Sequence, residues 1–209
     1  DMSQGEIAYH RLYEAIRSGR FRPGDRLREV EVADTLALSR TPVREALRKL
    51  ESDGIVEHRP RLGAVIRTLT TPEVVELYEM RLVPERTAAE MAAKHANAAE
   101  IDMLVDLNAQ IEATGDDTQR AAALNQDFHR RIYLGTRNRF LLASAHALNN
   151  ALMLLGPTTL DDEARIKTVS AQHARIIDAI AAGDQKAAGD AAEAHLQTSL
   201  RHRLKVLQG

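Results

Sequence analysis

The sequence predicts a mainly α-helical protein of two domains: a short N-terminal domain of three helices and a β-hairpin, and a longer antiparallel α-helical bundle. Three observations support this division. Apolar residues recur at helical spacing in the first 50 residues, and two short stretches typical of strands follow them. A Thr-Pro pair at residues 71–72 then begins a series of helical segments. We therefore place the domains at residues 1–69 and 70–209.

Three amphipathic segments occupy the first 54 residues. Their apolar positions, spaced as on one face of a helix, are Ala8, Leu12, Ala15 and Ile16, then Val32, Ala33 and Leu36, then Val43, Ala46, Leu47 and Leu50. Pro23-Gly24 predicts a turn between the first and second helices. Thr41-Pro42 predicts the N-cap and the first residue of the third helix.

The pattern changes after Asp53-Gly54. Residues 55–59 and 64–67 look like two short strands joined by a turn from Pro60 to Gly63. Three helices followed by a hairpin are the elements of a winged helix-turn-helix, a fold that binds DNA. The later residues read as about six helices, interrupted near Gly115, Gly135, Gly156-Pro157 and Gly183.

The composition limits both the chemistry and the cellular setting. The chain has no cysteine, which excludes disulfides and thiolate ligands, so a transition-metal site must use His, Asp, Glu or Asn. No apolar run approaches the roughly 18 residues that span a bilayer, and no signal-peptide pattern is visible. We therefore expect a cytoplasmic protein that does not bind membranes.

The charges and their positions point to DNA. The first 68 residues hold 13 Lys and Arg against 11 Asp and Glu, whereas the rest hold 15 against 19. This excess is small, so the prediction depends on where the charges lie. Arg40, Arg44 and Arg48 recur every four residues opposite the apolar stripe of the third helix, where they suit the DNA major groove.

The predicted DNA-contacting residues are Arg40, Thr41, Arg44, Arg59, Arg61 and Gly63. The first three lie where a recognition helix reads base edges, and the Thr41 hydroxyl can also bind a phosphate. The two arginines flank the hairpin tip, and Gly63 lets that tip approach the backbone or the minor groove. The alternative is a solvated helix face in which Arg48 pairs with Glu45 and Glu51.

Residues 6–68 resemble the GntR family of bacterial regulators. The resemblance rests on four stretches: Pro23-Gly-Asp-Arg-Leu27, Leu38-Ser-Arg-Thr-Pro-Val-Arg-Glu-Ala-Leu47, Leu50-Glu-Ser-Asp-Gly54 and Arg61-Leu-Gly63. It implies DNA contacts by Arg40, Thr41, Arg44 and the hairpin from Arg59 to Gly63. Val30 departs from the pattern, because the family commonly has an arginine there, and Arg28 is the available substitute.

Three predicted C-terminal helices carry an inward histidine. Asn125 and His129 share one face at i, i+4, His173 lies within an apolar stripe, and His195 follows Ala188 and Ala192 on the last helix. A single inward histidine is more often a hydrogen-bonded core residue than a ligand. Three imidazoles that converged in a bundle would form a typical site for a divalent transition metal.

The same helices resemble the FCD domain of FadR-type GntR regulators. The matching stretches are Asn125-Gln-Asp-Phe-His129, Gln172-His-Ala-Arg-Ile-Ile177, and Ile180-Ala-Ala-Gly-Asp184 through His195-Leu196. The resemblance implies that Asn125, His129, His173 and His195 hold a metal, with zinc favoured over nickel or manganese. The first ligand is often Asp in that family, and Asn is a weaker, neutral donor.

Arg81 and Glu85 lie on the inward stripe of the first C-terminal helix, where carbon is expected. Either the two side chains pair with each other, or Arg81 binds an effector carboxylate, as the resemblance implies for a comparable arginine. We leave both interpretations open. For His146, His202 and Arg137 we predict only surface or packing roles.

These observations predict a transcription regulator with no catalytic residues. It would bind double-stranded operator DNA as a homodimer, because two half-sites are best met by a two-fold symmetric protein. A small organic acid would control its affinity for DNA. The alternative is a metal-dependent enzyme with an accessory DNA-binding head, although no general-base carboxylate lies at obvious spacing beside the histidines.

Overall fold

The computed structural model describes residues 2–208 and, within them, contains nine α-helices and one two-stranded sheet. The elements in chain order are α1 (Gln4–Arg17), α2 (Glu29–Leu36), α3 (Arg40–Ser52), β1 (Val56–Arg59), β2 (Gly63–Ile66), α4 (Thr71–His95), α5 (Ala98–Glu112), α6 (Thr118–Gly135), α7 (Arg139–Leu152), α8 (Glu163–Ala181) and α9 (Gln185–Gln208). A 3₁₀ turn at Met153–Leu155 follows α7. The mainly helical fold predicted from the sequence is confirmed.

The chain divides into two compact units. The first contains the described residues up to Thr70 together with Ala147–Pro157, and the second contains Thr71–His146 and the described residues from Thr158 onward. From sequence order we had placed residues 147–157 in the C-terminal domain. They group with the first unit because Leu154 is buried in its core and Met153 packs against that core.

The first unit folds around the apolar faces of its three helices. Ser3 caps α1 with a capping box, in which its hydroxyl accepts from the Glu6 amide while the Glu6 carboxylate accepts from the Ser3 amide. The turn between α2 and α3 passes through Ala37, whose φ of 52° is left-handed. The amide of Ala37 bonds back to the carbonyls of Ala33 and Asp34, which ends α2 in the manner usual for a left-handed cap.

The third helix begins two residues earlier than predicted. Its N-cap is Ser39, and Arg40 is the first helical residue, so the expected cap at Thr41 is wrong. Pro42 consequently lies third in the helix, where its missing amide costs nothing because the first-turn amides have no partner within the helix. Thr41 remains in that first turn with an exposed side chain.

The hairpin forms as an antiparallel pair with Val56 opposite Ile66 and Arg59 opposite Gly63. The second strand thus begins at Gly63, one residue before the predicted start. The tip requires left-handed backbone at two places, Arg61 with φ 66° and Gly63 with φ 80°. Glycine adopts that conformation without steric cost, whereas Arg61 does not.

Six helices follow the hairpin, as many as the sequence predicted, and they form the bundle of the second unit except for the end of α7, which belongs to the first unit. Helix α4 packs against α6, α8 and α9, and α5 packs against α6 and α8. Helices α8 and α9 pack against each other across a three-residue connection and therefore run antiparallel. The core of the bundle includes Phe128, Ile166 and Ile176, which are essentially inaccessible to solvent. Among residues 2–208, no helix combines the length and apolarity that crossing a membrane requires.

Candidate nucleic-acid interface and metal centre

An open groove of about 900 Å³ runs between α2, α3 and the hairpin of the first unit. Arg40, Arg44 and Arg48 are exposed and line it together with Gly63. Three guanidinium groups on one face of a helix are suited to base edges and phosphates. The residues predicted for DNA contact from α3 are therefore brought together, with Thr41 exposed at the start of the same helix.

Glu29 at the start of α2 holds two of these arginines. Its carboxylate accepts from Arg44 Nε at 2.8 Å and from Arg44 Nη2 at 2.9 Å, and Arg40 Nη2 lies 3.6 Å away. These cations, Arg44 first, lower the pKa of Glu29. The alternative that Arg48 pairs with Glu45 and Glu51 is not seen, since Arg48 forms no ion pair with any described residue. Sequence reasoning missed Glu29, which the α2–α3 turn brings beside α3.

The side chains of the hairpin and of the first residues of α2 differ in whether they form ion pairs. Arg59 is bound to Glu57 on the same strand, with 2.6 Å between Nη2 and Oε1. Arg61 is exposed at the tip. Arg28 is paired with Glu31 at 2.8 Å, and Val30 is half exposed on the groove. An apolar side chain therefore occupies the groove position where the resemblance leads one to expect arginine.

The three predicted histidine ligands converge within the bundle. His129 of α6, His173 of α8 and His195 of α9 each contribute one ring nitrogen, and these nitrogens lie within 4.8 Å of one another. Phe128 stacks on His173 with 3.9 Å between ring centroids and fixes the plane of that ring. The histidines are buried or nearly so. Helical spacing had placed each ring on an inward face, and the packing of three helices brings the rings together.

Each imidazole is oriented by an oxygen on its Nδ1 side. Glu85 Oε2 lies 3.1 Å from Nδ1 of His129, Asn108 Oδ1 lies 3.2 Å from Nδ1 of His173, and Gln172 Oε1 lies 2.9 Å from Nδ1 of His195. A carboxylate or amide oxygen only accepts, so each Nδ1 carries the proton. Each Nε2 therefore presents its lone pair, as a metal-ligating histidine does.

The Asn108 amide is fixed in this orientation by α8. Its Nδ2 donates to the Ser170 carbonyl at 2.9 Å, and its Oδ1 accepts from the Ser170 hydroxyl at 3.1 Å. Asn108, Gln172 and the role of Glu85 toward His129 were missed from the sequence. A polar residue within an apolar stripe, as at Asn108, was the available signal.

Two buried acceptors have no hydrogen-bond partner: Nε2 of His173 in the cluster, and Oδ1 of Asn125, which lies one turn before His129 on α6. Leaving such atoms unsatisfied in a protein interior costs about 1–3 kcal/mol each. Burial foremost, and then neighbouring cationic groups, lowers the pKa of His173 and His195. The two rings are therefore neutral, which is the form that ligates metal. Three imidazole nitrogens and one amide oxygen are a donor set that fits a divalent transition ion.

Arg81 and Glu85 form the internal pair that one of the two earlier interpretations predicted. Arg81 Nη2 lies 3.6 Å from Glu85 Oε1, so an internal pair exists, but it is long. Glu85 makes its shorter contact to His129, and burial, which would raise its pKa, is outweighed by His129 and Arg81, which lower the pKa to about 2. The Nε of Arg81 is buried without a partner.

The three residues given only surface or packing roles do not join the cluster. His202 Nε2 contacts Asp161 at 2.9 Å, and Arg137 binds the His95 carbonyl and Glu100. His146 is exposed. Asp127, two residues before His129, lies beside Arg130 and Arg131 and does not join the cluster.

A winged helix-turn-helix joined to an all-helical bundle defines a class of bacterial DNA-binding regulators. Comparison with known families agrees: residues 4–66 match the bacterial regulatory proteins of the gntR family, and residues 76–198 match the FCD domain. The chain belongs to the GntR family of transcriptional regulators and carries an FCD domain in its second unit.

Relatives and solved structures support the assignment over nearly the full length. The chain is 30% identical over 206 residues to the HTH-type transcriptional regulator YdhC of Bacillus subtilis, covering 96% of this chain and 91% of that one. It is 33% identical to a probable D-xylose utilization operon transcriptional repressor of Paenarthrobacter nicotinovorans, covering 88% of this chain and 82% of the relative.

Among solved structures, a GntR regulator from Rhodococcus sp. RHA1 matches with a TM-score of 0.82 and 26% identity, covering 98% of this chain and 99% of that chain. McbR/YncC of E. coli matches with a TM-score of 0.86 and 20% identity, covering 99% of this chain and 100% of that chain. The second likeness shows the fold alone.

Proposed function

We propose that this regulator binds double-stranded operator DNA through the groove of its first unit. Arg40, Thr41 and Arg44 would contact base edges and phosphates from the start of α3. Arg59, Arg61 and Gly63 would bring the hairpin to the sugar-phosphate backbone or the minor groove. The support is the exposed row of arginines along one groove, with a glycine at the hairpin end of it.

We further propose that the bundle holds a divalent transition metal, zinc before nickel or manganese, on Asn125, His129, His173 and His195. The observation that carries this proposal is the convergence of three imidazoles, one with a buried, unpartnered Nε2, on helices one of which also carries the buried, unpartnered Oδ1 of Asn125. All four donors are neutral, so a bound ion would keep its full charge. That charge would attract an anion, which is the chemistry the metal would supply here.

The effector would be a small organic acid with Arg81 as an anchor. Its guanidinium lies 3.6 Å from Glu85 and has a buried Nε without a partner, so it retains capacity for a carboxylate. Effector binding would alter DNA affinity by favouring one arrangement of a homodimer over another. A two-fold symmetric dimer suits an operator with two half-sites.

Regulation is favoured over the metal-dependent enzyme. The relatives described above are named as transcriptional regulators. Glu85 is the anionic group that acts electrostatically on His195. Its carboxylate is already bound to His129 and lies near Arg81. A carboxylate bound to the Nδ1 side of an imidazole orients that ring as a metal ligand.

The experiment replaces His173 by Leu in the full chain and compares it with His146→Leu. Leucine fits an apolar stripe at His173, so folding should be retained while one donor is lost. We expect the metal content, measured by elemental analysis, to fall to background in His173→Leu and to stay at the wild-type level in His146→Leu. Both proteins should still bind an operator selected from random DNA.

Two outcomes would contradict the proposal. Metal retained at wild-type stoichiometry in His173→Leu would show that the four-residue ligand set is wrong. Wild-type protein that takes up no zinc, nickel or manganese after dialysis would remove the metal altogether and leave Arg81 as the principal anion anchor.

A further inference from the structure

Arg165, in the first turn of α8, is a buried cation that the metal site does not use. The residue is 7% exposed. Its Nη2 donates to the Ser199 hydroxyl at 3.3 Å, and its Nε is buried with no hydrogen-bond partner. Within the part of the chain that the structure describes, no carboxylate pairs with the guanidinium. One hydrogen bond to a neutral hydroxyl does not compensate for the hydration that this buried guanidinium loses.

Arg165 is tied to both of the helices that carry His173 and His195. It lies two turns before His173 on α8, and its partner Ser199 lies one turn after His195 on α9. Arg81 approaches from α4, with its guanidinium 5.2 Å from the Tyr78 ring centroid, and the Tyr78 hydroxyl is near enough to act electrostatically on Arg165. Arg81 and Arg165, on different helices, are therefore both near enough to His195 to act on it electrostatically.

The charges around the histidines are unbalanced. The charged groups that act on His195 besides His129 are two cations, Arg81 and Arg165, and one anion, Glu85. The nearer acids to Arg165, Asp161 and Asp162, are otherwise occupied: Asp161 binds His202, and Asp162 caps α8. A divalent ion on four neutral donors would widen the imbalance. A ligand with one carboxylate would leave one of the two guanidinium groups without a carboxylate hydrogen-bonded to it.

We propose that Arg81 and Arg165 bind the two ends of one effector, so that the effector of this regulator is a dicarboxylate. The inference rests on the carboxylate effector proposed above and adds Arg165 as the residue that selects for the second acidic group. Each guanidinium offers a planar pair of donors that matches a carboxylate. The unpartnered Nε atoms of Arg81 and Arg165 supply donors that this arrangement would satisfy.

The test uses the full chain loaded with zinc and six linear acids: malonate, succinate and glutarate, each beside the monocarboxylate of equal length, propionate, butyrate and valerate. Calorimetry gives the dissociation constants. At least one dicarboxylate should bind the wild type about tenfold or more tightly than its matched monocarboxylate, since a charged hydrogen-bonded pair is gained. Arg165→Met should remove that preference without changing the monocarboxylate affinity or the zinc content.

Two further variants separate binding from folding. Arg175→Met removes an exposed arginine of the same helix and should leave the preference intact. Arg165→Lys keeps the charge but not the planar fork, so it should lower the preference even if Arg165→Met does not fold. A purely structural Arg165 would instead reduce the melting temperature on mutation and leave the ratio of the two affinities unchanged.

The outcomes distinguish the two proposals. Monocarboxylates and dicarboxylates that bind the wild type equally, or a preference that survives in both Arg165→Met and Arg165→Lys, would overturn the dicarboxylate inference alone. If none of the six acids binds the zinc-loaded wild type, the carboxylate effector falls and the inference falls with it.

Discussion

The two units of this protein hold their charged side chains in opposite ways. In the first unit, Arg44 is exposed and Glu29 is half-buried, and their bidentate ion pair lies on the open groove. In the bundle, Glu85 and Arg165 are more than nine-tenths buried, and the neighbouring donors and acceptors are left partly unsatisfied. The first arrangement is made of contacts that are complete without a ligand, whereas the second is not.

This difference indicates how the first unit would bind DNA and how the bundle would bind its ligand. Exposed ion pairs contribute little to stability, so Arg44 can exchange Glu29 for a phosphate or a base edge at small cost. Buried polar groups without partners are expensive, so a ligand that satisfies them gains that free energy on binding. Substitutions of the same kind should therefore have different consequences in the two units.

The largest effect is expected for Glu85→Gln in the bundle. Glutamine is isosteric but removes the charge that orients His129 and balances Arg81, and loss of such a supporting residue typically weakens metal binding by about 10- to 100-fold. Competition with a chelator measures the zinc affinity. Glu90→Gln, which changes a partly exposed acid on the same helix, is the control and should bind zinc as the wild type does. Equal affinities in the two variants would show that His129 needs no carboxylate.

Arg44→Ala tests whether the exposed groove reads sequence. We expect affinity for the selected operator to fall about tenfold to a hundredfold at fixed salt, with the melting temperature unchanged, because Arg44 contributes nothing to the core. Fluorescence anisotropy with labelled DNA gives the affinities. Arg22→Ala removes another exposed arginine of the same unit, away from the groove, and should have a much smaller effect. Unchanged operator binding by Arg44→Ala would end its assignment as a base-contacting residue.

Arg61→Ala should affect DNA binding more evenly. A phosphate contact at the hairpin tip contributes equally to all sequences, so affinity should decrease alike for operator and random DNA, and the slope of log affinity against log salt should fall by about one. Titrations at several salt concentrations provide this slope. A loss confined to the operator would instead identify Arg61 as a base-contacting residue.

Glu29→Gln is expected to have the smallest effect, and in the opposite direction to Glu85→Gln. Removing this half-buried anion from the groove frees Arg40 and Arg44 and reduces repulsion of the phosphates. Affinity for random DNA should rise about twofold to fivefold, the range expected for a surface ion pair. If random-sequence DNA binds more weakly to this variant, Glu29 positions the arginines instead of competing for them, and the contrast between the units is less sharp than proposed.

The local sequence pattern was sufficient to predict the helices and strands. It was not sufficient to predict which side chains contact one another across the fold. The inward face of His129, His173 and His195 follows from helical spacing, because residues three and four apart share a face whatever the helix packs against. Glu85 was correctly placed inside, and its weak pair with Arg81 was one of two stated alternatives. Its shorter contact to His129 joins α4 to α6, and no spacing within α4 predicts which helix lies opposite.

The sequence by itself determined the order of helices and hairpin, the row of arginines on α3 and the inward histidines, since periodicity, caps and turns are properties of neighbouring residues. Only the tertiary structure decided that three imidazoles converge, that Asn108, Gln172 and Glu85 orient them, and that Arg165 is buried without a carboxylate. It also grouped residues 147–157 with the first unit. These facts depend on contacts between residues far apart in the chain, which form only when the apolar faces of several helices are buried against one another.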